Sequence, residues 1–466
     1  MKMLTCSRLS SLFVGATRRI TRLWVLLFLV GCFSAHAQEP NQTQNRSESG
    51  KPPVSLKISE LPAQATESDS AKKKTGLVNT ALNWFRRTDL PADLQIHGFA
   101  SQAYITTSDN DVFGNSDKGG SFGLTEAGLN ASVRPLPKLQ LSAQVLSRRA
   151  GEGSTGSPRL DYGFLDYRVY SHEVNQFGIR VGRLKNPFGF YNDTRDVPFT
   201  RPSILLPQSI YFDRTRNLAL SADSVQLYGE TAVSNWGTIS TQFGVILPIV
   251  NDKDTEKAVF FPGMNGDLTR EVSYIGRGLY ETNDKRLRLA VSGIWLDAGY
   301  NPMANDRVAT QSVASGSLQF SPIYLSAQYN AERWTLTSEY ALRHFMYKDF
   351  KNNALDSTDF FGESFYFQGE YRFTPKWEAI LRYDVLFTDR DDRDGKRFAA
   401  ATGGPADSRF AKDITVGLRW NVTPQFMLRA EYHHVNGTGW LSTLDNVRGS
   451  THQHWDLFAI QGSYRF

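Results

Sequence analysis

The chain closes on His454-Trp455-Asp456-Leu457-Phe458-Ala459-Ile460-Gln461-Gly462-Ser463-Tyr464-Arg465-Phe466, and the architecture follows from how this stretch is read. Read with a period of two, Phe458, Ile460, Gly462, Tyr464 and Phe466 share one face. Ala459, Gln461, Ser463 and Arg465 share the other, as successive side chains of a strand must. The period alone suits an edge strand of a soluble sandwich as well as a membrane strand. What separates the two is whether the pattern repeats, and how turns and aromatics are sorted along the repeats.

It repeats. Alternating segments include Leu139/Leu141/Ala143/Val145, Phe177/Ile179/Val181 and Ile239/Thr241/Phe243/Val245/Leu247. Others are Leu287/Leu289/Val291/Gly293/Trp295, Phe365/Phe367/Gly369/Tyr371/Phe373 and Ile414/Val416/Leu418/Trp420/Val422. The residues between are mostly polar, so one face meets an apolar medium and the other water. The connections alternate strictly in length. Short ones lie at 135–138, 171–176, 234–235, 282–284, 330–332, 374–376 and 423–424. Long, polar, Gly- and Asp-rich ones lie at about 107–120, 150–158, 186–221, 249–269, 297–315, 347–360, 389–410 and 438–452. Seven short and eight long connections imply about sixteen strands. An even count with no free edge is what an all-β transmembrane antiparallel barrel requires. Pro322, inside the expected tenth strand, is the weak point of this count, because proline cannot donate to a ladder.

Aromatics give an independent check. Tyr170, Phe177, Trp236, Trp334, Phe373, Trp377, Trp420, Phe426 and Phe466 all flank the short connections. Amphipathic rings gather in this way at a membrane–water boundary. An aromatic closing an alternating strand also resembles the last strand of bacterial outer-membrane barrels. That resemblance implies that Phe466 is the signal read by the barrel assembly machinery, and that the surroundings are outer-membrane lipid and lipopolysaccharide.

The first 93 residues are different. Lys2, Arg8, Arg18, Arg19 and Arg22 precede the apolar run Leu23–Val30, and Ala35-His36-Ala37 precedes Gln38, which is the layout of a secretion signal over 1–37. Leu29-Val30-Gly31-Cys32 also fits a lipoprotein box, with Cys32 acylated; cleavage at Ala37 is favoured, since a barrel needs no lipid anchor. The Arg18-Arg19 pair is discounted as a twin-arginine signal, because that route carries folded cargo. The apolar run is too short for a spanning helix, and mean hydropathy is negative. Residues 38–93 form a polar periplasmic leader with a short amphipathic helix near 75–88, marked by Leu77, Ala81, Trp84 and Phe85. The barrel is expected over 94–466.

Formal net charge is +5, but the signal carries five basic residues and no acidic one. Removing those five from 52 basic residues leaves 47 against 47 acidic, so no nucleic-acid partner is indicated. Both cysteines, Cys6 and Cys32, lie in the signal, which leaves no disulfide framework.

If apolar residues face lipid, the polar set lines the lumen. The wall candidates are Asp166, Arg168, Arg180, Glu339, Arg343, Arg382, Asp384, Arg419, Arg429 and Glu431, joined by Arg288, Glu370, Arg372 and Arg465. A turn centred near Glu173 sets Asp166 across from Arg180 as an ion pair. The longest connection is far beyond ordinary loop length and must fold somewhere specific. Inside the lumen it would narrow the channel, and outside it would cap the barrel. Its cations Arg195, Arg201, Arg214 and Arg216, with Arg183 and Lys185 at its root, outnumber Asp193, Asp196 and Asp213. A constriction with surplus guanidinium groups attracts and partly dehydrates anions.

The stretch Val181-Gly182-Arg183-Leu184-Lys185-Asn186-Pro187-Phe188-Gly189, followed by a long Arg-containing loop, resembles the phosphate-selective porin O/P-like group. The likeness extends loosely over 94–466. It implies a homotrimeric outer-membrane channel for ion transport whose third external loop folds into the pore. That group's phosphate selectivity depends on an arginine ladder and a lysine cluster, and no such cluster can be placed here.

Other chemistry finds little support. Strand parity points His433 inward but His434, His452 and His454 outward, so they do not converge on a metal. In Asp389-Arg390-Asp391-Asp392-Arg393-Asp394-Gly395, Arg390 stands at the first calcium-ligand position and Ala401 where a bidentate Glu belongs. That segment reads as a solvated external loop. No GxSxG turn, Gly-rich phosphate cradle or inward Ser–His pair is present, so neither an enzyme nor a cofactor is expected. Three functions remain: a passive porin for small anions, a channel specific for carbohydrates or aromatic or dicarboxylic acids, and an adhesin or receptor with a closed lumen. An energised receptor is disfavoured by the short leader.

Overall fold

A computed structural model describes residues 94–466, apart from Asn251 and Arg448. The expected signal, leader and 75–88 helix lie outside the described residues. Sixteen long strands among those residues close into one antiparallel barrel. They are β1 (Gln95–Thr107), β2 (Ser121–Leu136), β3 (Leu139–Ala150), β4 (Arg159–His172), β5 (Asn175–Lys185), β6 (Ser221–Val233), β7 (Gly237–Pro248) and β8 (Ser273–Thr282). The second half comprises β9 (Leu287–Asn301), β10 (Gly316–Asn330), β11 (Trp334–Lys348), β12 (Asp359–Arg372), β13 (Trp377–Phe387), β14 (Phe410–Asn421), β15 (Phe426–Gly437) and β16 (His454–Arg465). Each strand pairs with its neighbours in sequence, and β16 pairs with β1. Every ladder thus finds a partner, as strands in hydrocarbon must.

The two faces follow the alternation. Along β16, Phe458, Ile460 and Tyr464 are exposed, whereas Leu457, Ala459, Gln461 and Ser463 are buried inside the barrel. The same outward exposure is seen at Leu141, Val181, Phe243, Leu289, Phe367 and Val416. Around the short turns, Tyr170, Trp236, Trp334, Phe373, Trp377 and Phe426 point outward, with Trp377 stacked on Trp420 at 5.0 Å and 5°. These rings make the aromatic girdle that the sequence predicts.

Two details show how the barrel tolerates awkward residues. Pro322 does lie within β10, in register with Arg343 of β11. On its other side the β9–β10 ladder has no pairing between Gly293↔Ile323 and Leu296↔Phe320, so the missing N–H falls where no bond is made. At the seam, Phe466 exchanges backbone bonds with Gly98: its N–H donates to the Gly98 carbonyl at 3.0 Å, and the Gly98 N–H donates back at 3.2 Å. The Phe466 ring covers Gly98 so closely that a Cβ there would lie 2.4 Å from it. Gly98→Leu is therefore expected to displace the ring and lower the folded fraction. Heat-dependent gel mobility reads this, and wild-type yield and mobility would refute it.

The long connections carry their own structure. Residues 267–270 extend the eighth strand along β9, and short helices occupy Lys253–Val259, Asn353–Asp356 and Lys396–Thr402. In the segment read as a solvated loop, Asp392 is buried and its carboxylate accepts from the Arg397 and Phe398 N–H groups. That carboxylate holds the turn entering the Lys396–Thr402 helix.

Candidate functional site

The connection between β5 and β6, residues 186–220, lies against inward-facing side chains of most of the wall. Its entry is set by the Asn186–Gly189 turn. Asn192 donates through its side-chain amide to the carbonyls of Asn186 and Leu220, which pins the loop's two ends together. Phe188 stacks on Tyr324 of β10 and on Tyr211 of the loop itself. Gly189 has φ +56°, and a Cβ there would fall 2.3 Å from the Tyr211 hydroxyl, so glycine is required where the chain bends inward.

From there the loop is fixed strand by strand. The Gly189 N–H donates to the Ser292 hydroxyl of β9 at 3.0 Å, and its carbonyl accepts from Arg277 of β8. The buried Glu339 carboxylate of β11 accepts from the Phe190 N–H, the Tyr211 hydroxyl, the Ser326 hydroxyl of β10 and the Tyr366 hydroxyl of β12. Asp384 of β13 accepts from the Ser209 N–H at 3.2 Å. Arg382 donates to the Ser203 hydroxyl and the Leu205 carbonyl. Arg429 of β15 donates to the carbonyls of Ser203, Pro198 and Arg201, while Glu431 accepts from the N–H groups of Ile204 and Leu205. Arg343 lies over the Phe212 ring at 4.8 Å.

The wall candidates therefore divide into two sets. Glu339, Arg343, Arg382, Asp384, Arg429 and Glu431 point inward as parity predicts, but the loop covers them and they bind its backbone. Asp166, Arg168, Arg180, Arg288 and Arg419 stay partly open on the short-turn side. The expected pair is present: Arg180 Nε is 2.9 Å from Asp166 Oδ2. The Tyr228 hydroxyl also donates to Asp166, and the Arg180 guanidinium lies 4.2 Å over the Tyr228 ring. Arg288 pairs with Glu281 and covers Phe190 of the loop. Arg372 and Arg419 share Glu378, and Arg465 lies over Phe199 of the loop at 4.4 Å.

The loop's own cations differ from expectation in their surroundings. Arg195, Arg201 and Arg216 are buried rather than set out into open water. Arg201 Nη2 meets Glu126 Oε2 of β2 at 2.5 Å, Arg216 pairs with Asp196, and Arg195 lies 3.7 Å from Asp213. Burial pulls the Arg195 guanidinium down to about 10, which leaves it charged at neutral pH. Arg214 is half-buried, with its guanidinium 5.6 Å from the Phe212 ring centre. Lys185 is held by Asp161 at 2.5 Å and by Asp196. Asp161 reaches it through a bulge: Val145 pairs with Leu160 and Gln144 with Tyr162, which leaves Asp161 as the extra residue.

Arg183 does not belong to this group. It is in register with Asp223 and shares the outward parity of Val181 and Val225. There it forms an exterior ion pair with Asp223 at 2.9 Å, which Arg270 joins at 2.7 Å. Counting it with the loop's root overlooked its shared parity with Val181, which Lys185 at the strand's end does not keep.

The histidines stay apart. His433 is buried between Asp413 (2.9 Å) and Glu431 (3.4 Å), whereas His434 is outward and meets Asp456. Sequence reasoning missed Glu126, Arg148, Arg277 and Tyr211 as anchors of the loop. A signal existed for two of them, since Glu126 and Arg148 are inward cross-strand partners in the β2–β3 ladder, like Asp166 and Arg180.

No protein-family model matches the chain, nor does any curated protein. Solved structures do. The outer membrane channel DcaP of Acinetobacter baumannii aligns with a TM-score of 0.51 at 11% identity, over 81% of this chain and 99% of that chain. The anion-selective porin from Comamonas acidovorans aligns with a TM-score of 0.50 at 12% identity, over 80% of this chain and 99% of that one. At such identities the likeness is one of fold, a closed antiparallel β-barrel.

Proposed function

We propose that this protein is a porin of the bacterial outer membrane, passing small hydrophilic solutes by diffusion with a preference for anions, and that residues 186–220 form its constriction. The observation carrying this reading is the long loop bound to inward side chains of β2, β3, β8, β9, β11, β13 and β15, inside a barrel with an apolar exterior. A loop so placed narrows whatever passage the barrel encloses. Anion preference is supported by the half-open Arg168, Arg180, Arg288 and Arg419, and by Arg372 and Arg419 sharing one carboxylate. The Comamonas neighbour is an anion-selective porin of the same fold. Within this reading Arg195, Arg201 and Arg216 act by holding the loop, and Arg168, Arg180, Arg288 and Arg419 set the field.

A homotrimer in lipopolysaccharide-bearing membrane, inserted by the barrel assembly machinery, belongs to the same proposal. Outward-facing Gly276, Gly278 and Gly293 on adjacent strands offer a smooth contact face for it. The tie to the phosphate-selective group rests on Val181–Gly189 and the position of the loop. A second reading, a channel for aromatic acids, is favoured by Phe190 and Phe199, each facing a wall arginine.

A reversal potential measured across planar bilayers in a salt gradient tests the proposal. The expected sign is that of an anion-preferring pore, moving toward zero when Arg168, Arg180, Arg288 and Arg419 are all changed to Gln. Block of the current by benzoate supports the second reading. An absence of any conductance ends both and leaves an adhesin or receptor.

A further inference from the structure

Behind the loop, on the β2–β3 wall, the structure holds a feature that solute passage does not need. Arg148 of β3 and the loop's Arg195, Arg201 and Arg216 converge there, each more than nine-tenths buried. Together with Asp213 and an apolar cap of Leu124 and residues 204–206, they line a cavity with room for one water-sized occupant. Arg148 pairs with Glu126 at 3.2 Å and with Asp213 at 2.8 Å. Arg201 uses the other oxygen of Glu126, and Arg195 donates to the Tyr211 carbonyl.

These bonds do not use up the donors. Arg195 leaves Nε and Nη1 without a partner, and Arg201 and Arg216 each leave Nε. Buried N–H groups of this kind are costly unless something accepts from them. Charge is unmatched as well. The connected set holds five cations, Lys185, Arg148, Arg195, Arg201 and Arg216, against four carboxylates, Glu126, Asp161, Asp196 and Asp213.

We infer that this cavity binds a small monovalent inorganic anion of the halide class, which completes the arginine cluster and fastens the loop to the β2–β3 wall. A halide accepts from several donors without directional demand, and Arg195, Arg201 and Arg216 each have an N–H to offer. One negative charge neutralises the excess of the connected set. The apolar cap favours an ion that sheds its hydration shell readily. The four arginines are buried behind the loop and the occupant is structural, so the inference holds whether or not the permeating solutes are anions.

The full barrel in detergent, with chloride replaced by bromide, provides the test. Anomalous diffraction at the bromine edge is expected to show a peak among Arg148, Arg195, Arg201 and Arg216. Thermal unfolding is expected at a higher temperature in chloride or bromide than in gluconate at equal ionic strength. That difference should be lost in Arg195→Gln, which removes the surplus charge. Ordered water at the site in bromide crystals, or equal unfolding temperatures in all three salts, overturns the inference. Because the crystal experiment uses the unaltered chain, a folding defect in the variant does not blunt it. Reversal potentials are a separate readout, so failure here leaves the porin reading to its own test.

Discussion

Glu339→Ala should free the inner arm of the 186–220 loop and raise single-channel conductance while the barrel stays folded. The Glu339 carboxylate is 1% exposed and accepts four bonds: 2.6 Å from the Tyr211 hydroxyl, 2.6 Å from Ser326, 2.8 Å from Tyr366 and 2.9 Å from the Phe190 N–H. Removing it strands three buried hydroxyl donors at once, while the Phe190 N–H keeps the Tyr211 hydroxyl as a second acceptor. Each such group costs ~1–3 kcal/mol when left unsatisfied, and relaxation of the loop recovers part of that. The easiest relaxation swings Phe190 and Tyr211 off the wall and lets water in, since the strands are held by their own ladders. Glu339→Gln keeps the volume and part of the accepting capacity, and should fall between the two. Bilayer recordings together with limited proteolysis of the loop measure both effects. Wild-type conductance in an Ala variant whose loop remains protease-resistant would show that this carboxylate does not anchor it.

The second large effect is expected at the Glu126–Arg201 pair, where β2 grips the middle of the loop. Glu126 is fully buried and Arg201 is 5% exposed. Removing one partner of a buried pair leaves an uncompensated charge and costs ~3–5 kcal/mol, whereas replacing both with apolar residues of similar volume is often neutral. Glu126→Leu alone should therefore lower the urea midpoint of the micelle-bound barrel strongly. Glu126→Leu combined with Arg201→Met should restore most of it. The contrast is sharpened by Arg148, which also pairs with Glu126 and keeps Asp213 as a partner in either variant. Equal destabilisation by the single and the double change would mean that the pair contributes through shape, not through charge compensation.

Much of the architecture is legible in the amino-acid sequence. Strand number, the two faces of each strand, the sorting of long and short connections and the aromatic girdle all follow from a period of two, read against turn residues. They are legible because a bilayer imposes its demand locally. Each residue either meets hydrocarbon or does not, and its neighbours in sequence suffice to tell. The Asp166–Arg180 pair was readable for a related reason, since a short turn fixes register between strands adjacent in sequence. Arg183 obeyed the same local rule, and its outward place on β5 is what alternation alone dictates.

The interior was not legible in this way. Nothing near Glu126 in the chain announces Arg201, which lies 75 residues away, nor does anything near Glu431 announce Ile204 and Leu205. These partners meet only because a loop without periodicity takes a particular path through the space that sixteen strands enclose. Alternation along each strand sets which side chains point inward. Which of those face water and which face the loop is settled by the folded barrel, because desolvation and hydrogen-bond pairing inside a closed wall depend on what fills it, and no local pattern encodes that.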